Sequence, residues 1–153
     1  MRTRMPGLAA NQRGASLIEF AVTLPVLVMI LVGIMRFGSA YNYQIVLTDA
    51  ARTGARQLAI SRGTSGDICS TAGTRVRNAA MTLASSSITM RMTVNGTAYT
   101  AAAGSLPACN NAGTTMVLGA DVVVALTYPC SFQIPFSPSR SCTISASTTG
   151  RVE

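Results

Sequence analysis

The residue whose surroundings say most about chemistry is Glu19, a carboxylate near the start of an otherwise apolar run that covers residues 15–35. A helix of about 20 apolar residues crosses a bilayer core, and an acid at its centre costs about 2.5–3.5 kcal/mol on insertion scales. Near the helix start the cost is smaller, because the side chain reaches the headgroups. Glu19 is therefore either an interfacial residue that favours the helix N-terminus or one half of a specific polar contact.

The sequence lacks the residues that most often carry out catalysis. There is no histidine, the residue that most often serves as a general base, as the partner of a nucleophile or as a metal ligand. No phosphate-binding loop, nucleophile elbow, zinc-protease helix or calcium loop is present in the sequence. We therefore expect a protein that is not an enzyme and that uses no cofactor and no metal. The acidic residues are Glu19, Asp49, Asp67, Asp121 and Glu153.

Four cysteines follow the apolar run, at Cys69, Cys109, Cys130 and Cys142. An even number of cysteines in an exported region indicates disulfides. A zinc site is the alternative, but it usually contains two cysteines two to four residues apart, and no two cysteines here are that close. Of the three connectivities that four cysteines allow, chain proximity favours Cys69–Cys109 together with Cys130–Cys142.

Positive charge precedes the apolar run. Residues 1–14 carry Arg2, Arg4 and Arg13 and no acid, and the other arginines are scattered without a basic stripe. Nucleic acid is therefore not an expected partner. Positive charge ahead of a membrane helix orients the N-terminus towards the cytoplasm, which places the residues after Arg36 outside.

Three kinds of N-terminal segment fit this arrangement. An ordinary signal peptide, cut after Ala40, has an apolar core of 7–15 residues, so the run at 15–35 is too long for it, and the carboxylate of Glu19 also counts against it. A plain signal anchor would keep residues 1–14. A prepilin-type leader would be removed just ahead of the helix.

The string GASLIEF at residues 14–20 has the Gly-x₄-Glu-[Tyr/Phe] arrangement of type IVb prepilins. Together with the apolar run, Pro25 and the string DAARTGAR at residues 49–56, it resembles the TadE-like pseudopilins of the tight-adherence (Flp, type IVb) pilus system. The resemblance extends from about Arg13 to Ala59 and fades in the remainder of the chain.

The resemblance implies that a membrane-bound prepilin peptidase cuts between Gly14 and Ala15. Ala15 would then be the mature N-terminus, and Ala15, Glu19 and Phe20 would act in assembly. The implied partners are the prepilin peptidase, a major Flp-type pilin, other pseudopilins and the bacterial inner membrane.

The implied function is that of a structural minor pilin in pilus assembly, adhesion and surface attachment. Its N-terminus would be cytoplasmic, and its C-terminal domain would be periplasmic or part of an extracellular pilus. The alternative is a signal-anchored extracytoplasmic binding domain that never enters a filament.

The sequence predicts an α+β fold, in which a long N-terminal hydrophobic helix precedes a small antiparallel β-sheet domain that contains one short helix and is braced by disulfides. The predicted segments are a basic leader at 1–14, a transmembrane or pilin-type helix at 15–36, its amphipathic continuation at 37–63 and a β-rich domain at 64–153. Small and apolar residues at helical spacing predict one packed face of the continuation, which contacts either its own domain, the interpretation that we favour, or another subunit. They are Leu47, Ala50, Ala51, Gly54, Ala55 and Leu58.

The last segment contains local signals for each of its elements. Residues 74–84 are predicted to form the short helix, with Thr74 as its cap. Asn95-Gly96 predicts a type I′ turn between strands at 87–94 and 97–101. The other predicted elements are a strand at 114–128 with a bulge at Gly119, a loop between Cys130 and Cys142, and a final strand from Cys142 to Glu153.

Overall fold

The computed structural model describes residues 12–132 and 140–153, and it confirms the predicted fold class. A long N-terminal helix is followed by one shorter helix and a four-stranded antiparallel sheet. The chain divides into two compact units, the first ending at Gly38 and the second covering Ser39–Glu153. The elements are α1 (Gln12–Ala59), α2 (Ile68–Ala79), β1 (Thr89–Val94), β2 (Thr97–Ala101), β3 (Asp121–Phe132) and β4 (Arg140–Arg151).

The first unit contains the apolar part of α1. Its large apolar side chains, from Leu17 to Phe37, are exposed in the single chain, apart from the half-buried Val32. By length and composition this helix is able to cross a membrane. No protein surface in this unit covers the apolar side chains, so lipid or other protein helices must cover them.

The second unit is built on a sheet in the order β2-β1-β3-β4, with every neighbouring pair antiparallel. Burial alternates along the two central strands, as expected for a sheet with one face on a core. The buried set is Met90, Met92 and Val94 from β1 and Val122, Val124 and Leu126 from β3.

The continuation of α1 beyond Ser39 packs on the core, as its small-residue face predicts. All six residues of that face are buried. A Cβ atom added at Gly54 would lie 2.6 Å from Val76 Cγ2 on α2 and 3.4 Å from Val124 Cγ1 on β3. Glycine at this position therefore lets the helix backbone approach both elements.

The same stretch of α1 runs alongside β4, an edge strand of the sheet. The side chain of Gln44 donates a hydrogen bond to the carbonyl of Ser145 (3.1 Å), and the amide of Glu153 donates to the carbonyl of Ala59 (3.4 Å). Exposed edge strands invite pairing with other chains, and a covering helix is one way in which proteins prevent it.

The short helix begins earlier than predicted. Asp67 caps α2, and its carboxylate accepts a hydrogen bond from the amide of Ser70 (3.1 Å). Thr74, the predicted cap, lies inside the helix, where its hydroxyl donates to the carbonyl of Ser70 (3.0 Å). The helix also ends earlier, at Ala79 rather than at residue 84, and α1 ends at Ala59 rather than at residue 63.

The predicted hairpin is confirmed, whereas several strand boundaries differ from the prediction. Asn95 and Gly96 both have positive φ (51° and 77°) between β1 and β2, as a type I′ turn requires. Gly119 (φ 77°) lies in a turn ahead of β3 instead of forming a bulge within it. Cys130 and Cys142 are paired residues within β3 and β4, and the middle of the predicted loop, residues 133–139, lies outside the described residues.

We predict that Gly54→Leu destabilises the second unit by about 1–3 kcal/mol, because the added side chain overpacks against Val76 and Val124. Gly38→Leu is the control, since nothing lies within 4 Å of a Cβ atom at that position. Urea unfolding of the full chain in detergent, followed by tyrosine fluorescence, measures the difference. Equal stability of the two variants would show that the α1 contact is not close-packed.

Candidate functional site

The candidate site is the start of α1, where Glu19 is exposed on an apolar helix. Its carboxylate makes no hydrogen bond or ion pair with any of the residues 12–132 and 140–153. The nearby hydroxyl of Thr23 donates instead to the backbone carbonyls of Glu19 (3.0 Å) and Phe20 (3.2 Å). The described part of the chain therefore leaves the charged group of Glu19 without a partner.

The predicted cleavage junction lies in the first turn of this helix. α1 begins at Gln12, so Gly14 and Ala15 are helical in the uncut chain. The first four amides of a helix have no partner within it, and Gly14 adds backbone freedom at this point. Unwinding this first helical turn therefore requires little free energy.

Ala15 and Glu19 are four residues apart and share one face of α1. Phe20, the next residue, is 60% exposed. The predicted assembly residues therefore lie within two adjacent turns of α1, at the N-terminal end of the apolar surface.

Pro25 lies six residues after Glu19, inside α1. Proline has no amide hydrogen, so the carbonyl one turn before it, on Ala21, loses its usual helical donor. The hydroxyl of Thr23 bonds to carbonyls in the preceding turn, and such bonds also loosen helices. Both features weaken the backbone hydrogen bonding of α1 just after the candidate site.

The sequence pattern at this site has a counterpart among known families. Residues 14–56 match the TadE-like protein family. The TadE-like segment contains Gly14, Glu19 and Pro25, and it ends at Arg56 within α1. The match confirms the resemblance for this segment of the chain.

The rest of the chain lies outside the TadE-like segment. The match includes neither α2 nor any strand of the sheet. Neither a curated protein nor a solved structure matches the chain significantly.

The cysteines form two separate disulfides, Cys69–Cys109 and Cys130–Cys142. These are the pairs that chain proximity favours. Cys69 and Cys109 are buried, whereas Cys130 and Cys142 are half-buried and link β3 directly to β4. Neither pair belongs to the α1 site, and both lie within the second unit.

Asp67 is a structural residue that the sequence analysis did not single out. Besides capping α2, its Oδ1 atom accepts a hydrogen bond from the amide of Cys109 (3.0 Å). Possible ligand atoms of Asp67, Cys69 and Cys109 lie within 4.8 Å of one another, but the disulfide consumes both thiolates. The cluster thus ties the loop before Cys109 to the start of α2. An acid just ahead of the apolar residues of α2 was the available signal.

We predict that removing Cys69–Cys109 destabilises the second unit by about 4 kcal/mol, against about 3 kcal/mol for Cys130–Cys142, because the first bridge closes the longer loop. Paired alanine substitutions and urea unfolding of the full chain measure both losses. A larger loss for Cys130–Cys142 would show that loop closure and burial do not set the order.

Proposed function

We propose that the protein is a minor pilin-like subunit that acts structurally in the assembly of a tight-adherence pilus, and that it is not an enzyme. The observation that carries the proposal is Glu19, a carboxylate without a partner among the described residues, at the start of an apolar helix whose large side chains are mostly exposed. The match of residues 14–56 to the TadE-like family supports it.

Leader removal is the first step of the proposed mechanism. A prepilin peptidase of the inner membrane cuts between Gly14 and Ala15 and removes the basic residues 1–14. The new α-amino group of Ala15 is largely protonated at neutral pH. The helix then begins with a cation and carries an anion one turn later.

Assembly follows from this pair of charges. Within a bundle of parallel helices, the carboxylate of Glu19 pairs with the Ala15 amine of a neighbouring subunit. Apolar packing supplies most of the cohesion, and the ion pair fixes the axial register, because an unpaired charge in a low-dielectric environment is costly. Phe20 contributes an apolar contact beside the pair.

The proposed partners follow from this mechanism. They are the prepilin peptidase, a major Flp-type pilin and other pseudopilins, and nucleic acid is not among them. The subunit starts in the inner membrane with its N-terminus in the cytoplasm, and its second unit lies in the periplasm or on an extracellular pilus, where it contributes to adhesion.

We predict that the mature protein begins at Ala15 and that Gly14→Leu abolishes this processing, because a side chain at position 14 does not fit a cleft made for glycine. Mass spectrometry of the protein from membranes of a pilus-bearing host reads the N-terminus directly. A wild-type chain that still begins at Met1 would instead indicate a signal-anchored binding domain. A chain that begins at Tyr41 would indicate an ordinary secreted product.

We also predict that Glu19→Gln leaves membrane insertion and processing intact but reduces incorporation into pili by at least about tenfold, the factor that corresponds to the loss of roughly 1.4 kcal/mol. Asp121→Asn, a change to an exposed acid of the sheet, is the matched control. Immunoblots of sheared pili and of membranes measure both pools. Normal incorporation of the Glu19 variant would refute the ion-pair mechanism.

A further inference from the structure

β4 runs alongside α1 within the second unit, and two contacts define their relative direction. Gln44 on the helix bonds to Ser145 on the strand, and a Cβ atom added at Gly150 would lie 2.9 Å from the carbonyl oxygen of Ala55. Between these contacts the helix advances eleven residues and the strand five, which is about 16.5 Å in each case at the usual rise per residue. β4 therefore runs nearly parallel to this part of α1 and in the same direction.

The β3–β4 hairpin extends beyond the rest of the sheet. β1 pairs with β3 only as far as Thr127, whereas β3 and β4 remain paired beyond that residue. We refer to residues 129–132 and 140–143 as the β3–β4 arm. An isolated two-stranded ribbon is marginally stable, and the disulfide between Cys130 and Cys142 joins the two strands of this one. The bridge therefore stabilises a projection that has no third strand beside it.

The β3–β4 arm reaches past the point at which the chain enters the second unit. Arg140 lies five residues before Ser145, about 16.5 Å along the strand, whereas Ser39 lies five residues before Gln44, about 7.5 Å along the helix. Because Gln44 and Ser145 are in contact, the arm extends about 9 Å beyond the level of Ser39. Ser39 itself is three residues after Arg36, which closes the apolar run. A bilayer that holds the apolar run is therefore within reach of the arm.

The end of the second unit that contains the arm is positively charged. Arg140 is exposed on the arm, which contains no acid. Three of the four acids of the unit lie at its other end, beside the last turn of α1 or opposite Arg151, and the fourth, Asp49, is about 15 Å along the helix from Ser39. The three are Asp67, Asp121 and Glu153. A cationic end without acids is complementary to anionic lipid headgroups.

Tyrosines lie at the same end of the unit. Tyr41 is 63% exposed and follows Ser39 by two residues, and the rings of Tyr43 and Tyr128 are in edge contact, with centroids 5.8 Å apart. These are three of the four tyrosines of the chain. Tyrosine is enriched where a membrane meets water, because its ring is apolar while its hydroxyl forms hydrogen bonds. This end of the unit thus combines interfacial aromatic side chains with a cation.

We propose that the β3–β4 arm binds the surface of an anionic phospholipid bilayer, the same bilayer that holds the apolar run. Arg140 pairs with lipid phosphates, and Tyr41 lies at the boundary between headgroups and acyl chains. The contact fixes the height and rotation of the second unit on the membrane until a pilus takes up the subunit. It rests on the proposed membrane position of α1, but it requires neither leader removal nor the contact of Glu19.

Tryptophan fluorescence measures this contact, because the chain has no tryptophan of its own. The full chain with Ser141→Trp, at an exposed position of the arm, is reconstituted into vesicles of phosphatidylcholine and phosphatidylglycerol whose acyl chains are brominated close to the headgroup. Bromine quenches only nearby rings, so we expect quenching of Ser141→Trp. Val117→Trp is the control, since Val117 is 65% exposed at the opposite end of the unit. Equal quenching of the two variants, or none, would overturn the proposal.

The contribution of charge is measured with the same reporter, Ser141→Trp. Arg140→Gln should lower the ratio of quenched to unquenched protein about fivefold, the factor for one cation lost near an anionic surface. Arg62→Gln, a change to an exposed arginine at the other end of the unit, should leave the ratio unaltered. Vesicles of phosphatidylcholine alone should reproduce the effect of Arg140→Gln. Quenching that neither change weakens would overturn the assignment of anionic lipid.

Flotation of the chain with the vesicles separates this contact from membrane insertion. A chain that floats but is not quenched has its membrane helix and lacks the arm contact, which would overturn this proposal and leave the proposed function intact. A chain that does not float would refute the membrane position of α1, and both proposals with it.

Discussion

The physical constraint on which this molecule depends is that one part of α1 has no protein cover of its own. Most side chains from Leu17 to Phe37 are large and apolar, and nearly all of these are exposed in the single chain. Full burial of one such side chain is worth about 1.5–3 kcal/mol, so the summed cost of leaving them in water exceeds the usual stability of a whole domain. A bilayer or a bundle of helices must therefore be the environment of this segment. A polar group within it is costly there and needs a specific explanation, which it would not need on a soluble helix.

The second unit meets a different requirement, since it must be stable with a small core. Its α1 segment contributes mainly alanine and glycine, which add little buried volume but allow the helix to lie directly on α2 and β3. The bulk of the core comes instead from methionine, valine and leucine side chains on β1 and β3. Disulfides compensate for limited burial in domains of this size, and here one bridge joins α2 to the loop after the first hairpin while the other joins β3 to β4.

Much of the fold could be predicted from the sequence because its signals are local. The face from Leu47 to Leu58 follows helical periodicity, and Asn95-Gly96 specifies its own turn. The start of α2 was missed because Gly73 weakens the helical pattern, yet the space beside it is filled by Leu106, whose Cδ2 atom lies 2.7 Å from an added Cβ. That contact joins residues distant in sequence, so no local pattern reports it.

The end of β3 was missed for a related reason. Pro129 argues against a strand, because proline cannot donate to a ladder. β1 pairs with β3 only as far as Thr127, so at Pro129 the strand has a single neighbour, β4, and the missing amide is tolerated. Only the register of the sheet reveals this.

Some features of the candidate site could likewise be predicted from the local sequence, whereas others could not. The residue types, their spacing and the apolar helix could all be predicted from the sequence, since each is a property of one continuous segment. That the carboxylate of Glu19 has no partner within the described chain became evident only from the fold. The same holds for Asp49 and Arg52, whose helical spacing would allow a pair within α1 that the structure does not contain. Charges without internal partners on a helix that is already packed on its other face contribute little to the stability of the monomer. The fold of the single chain therefore does not depend on these charged groups, and the uncovered apolar helix must likewise be stabilised by something other than that fold.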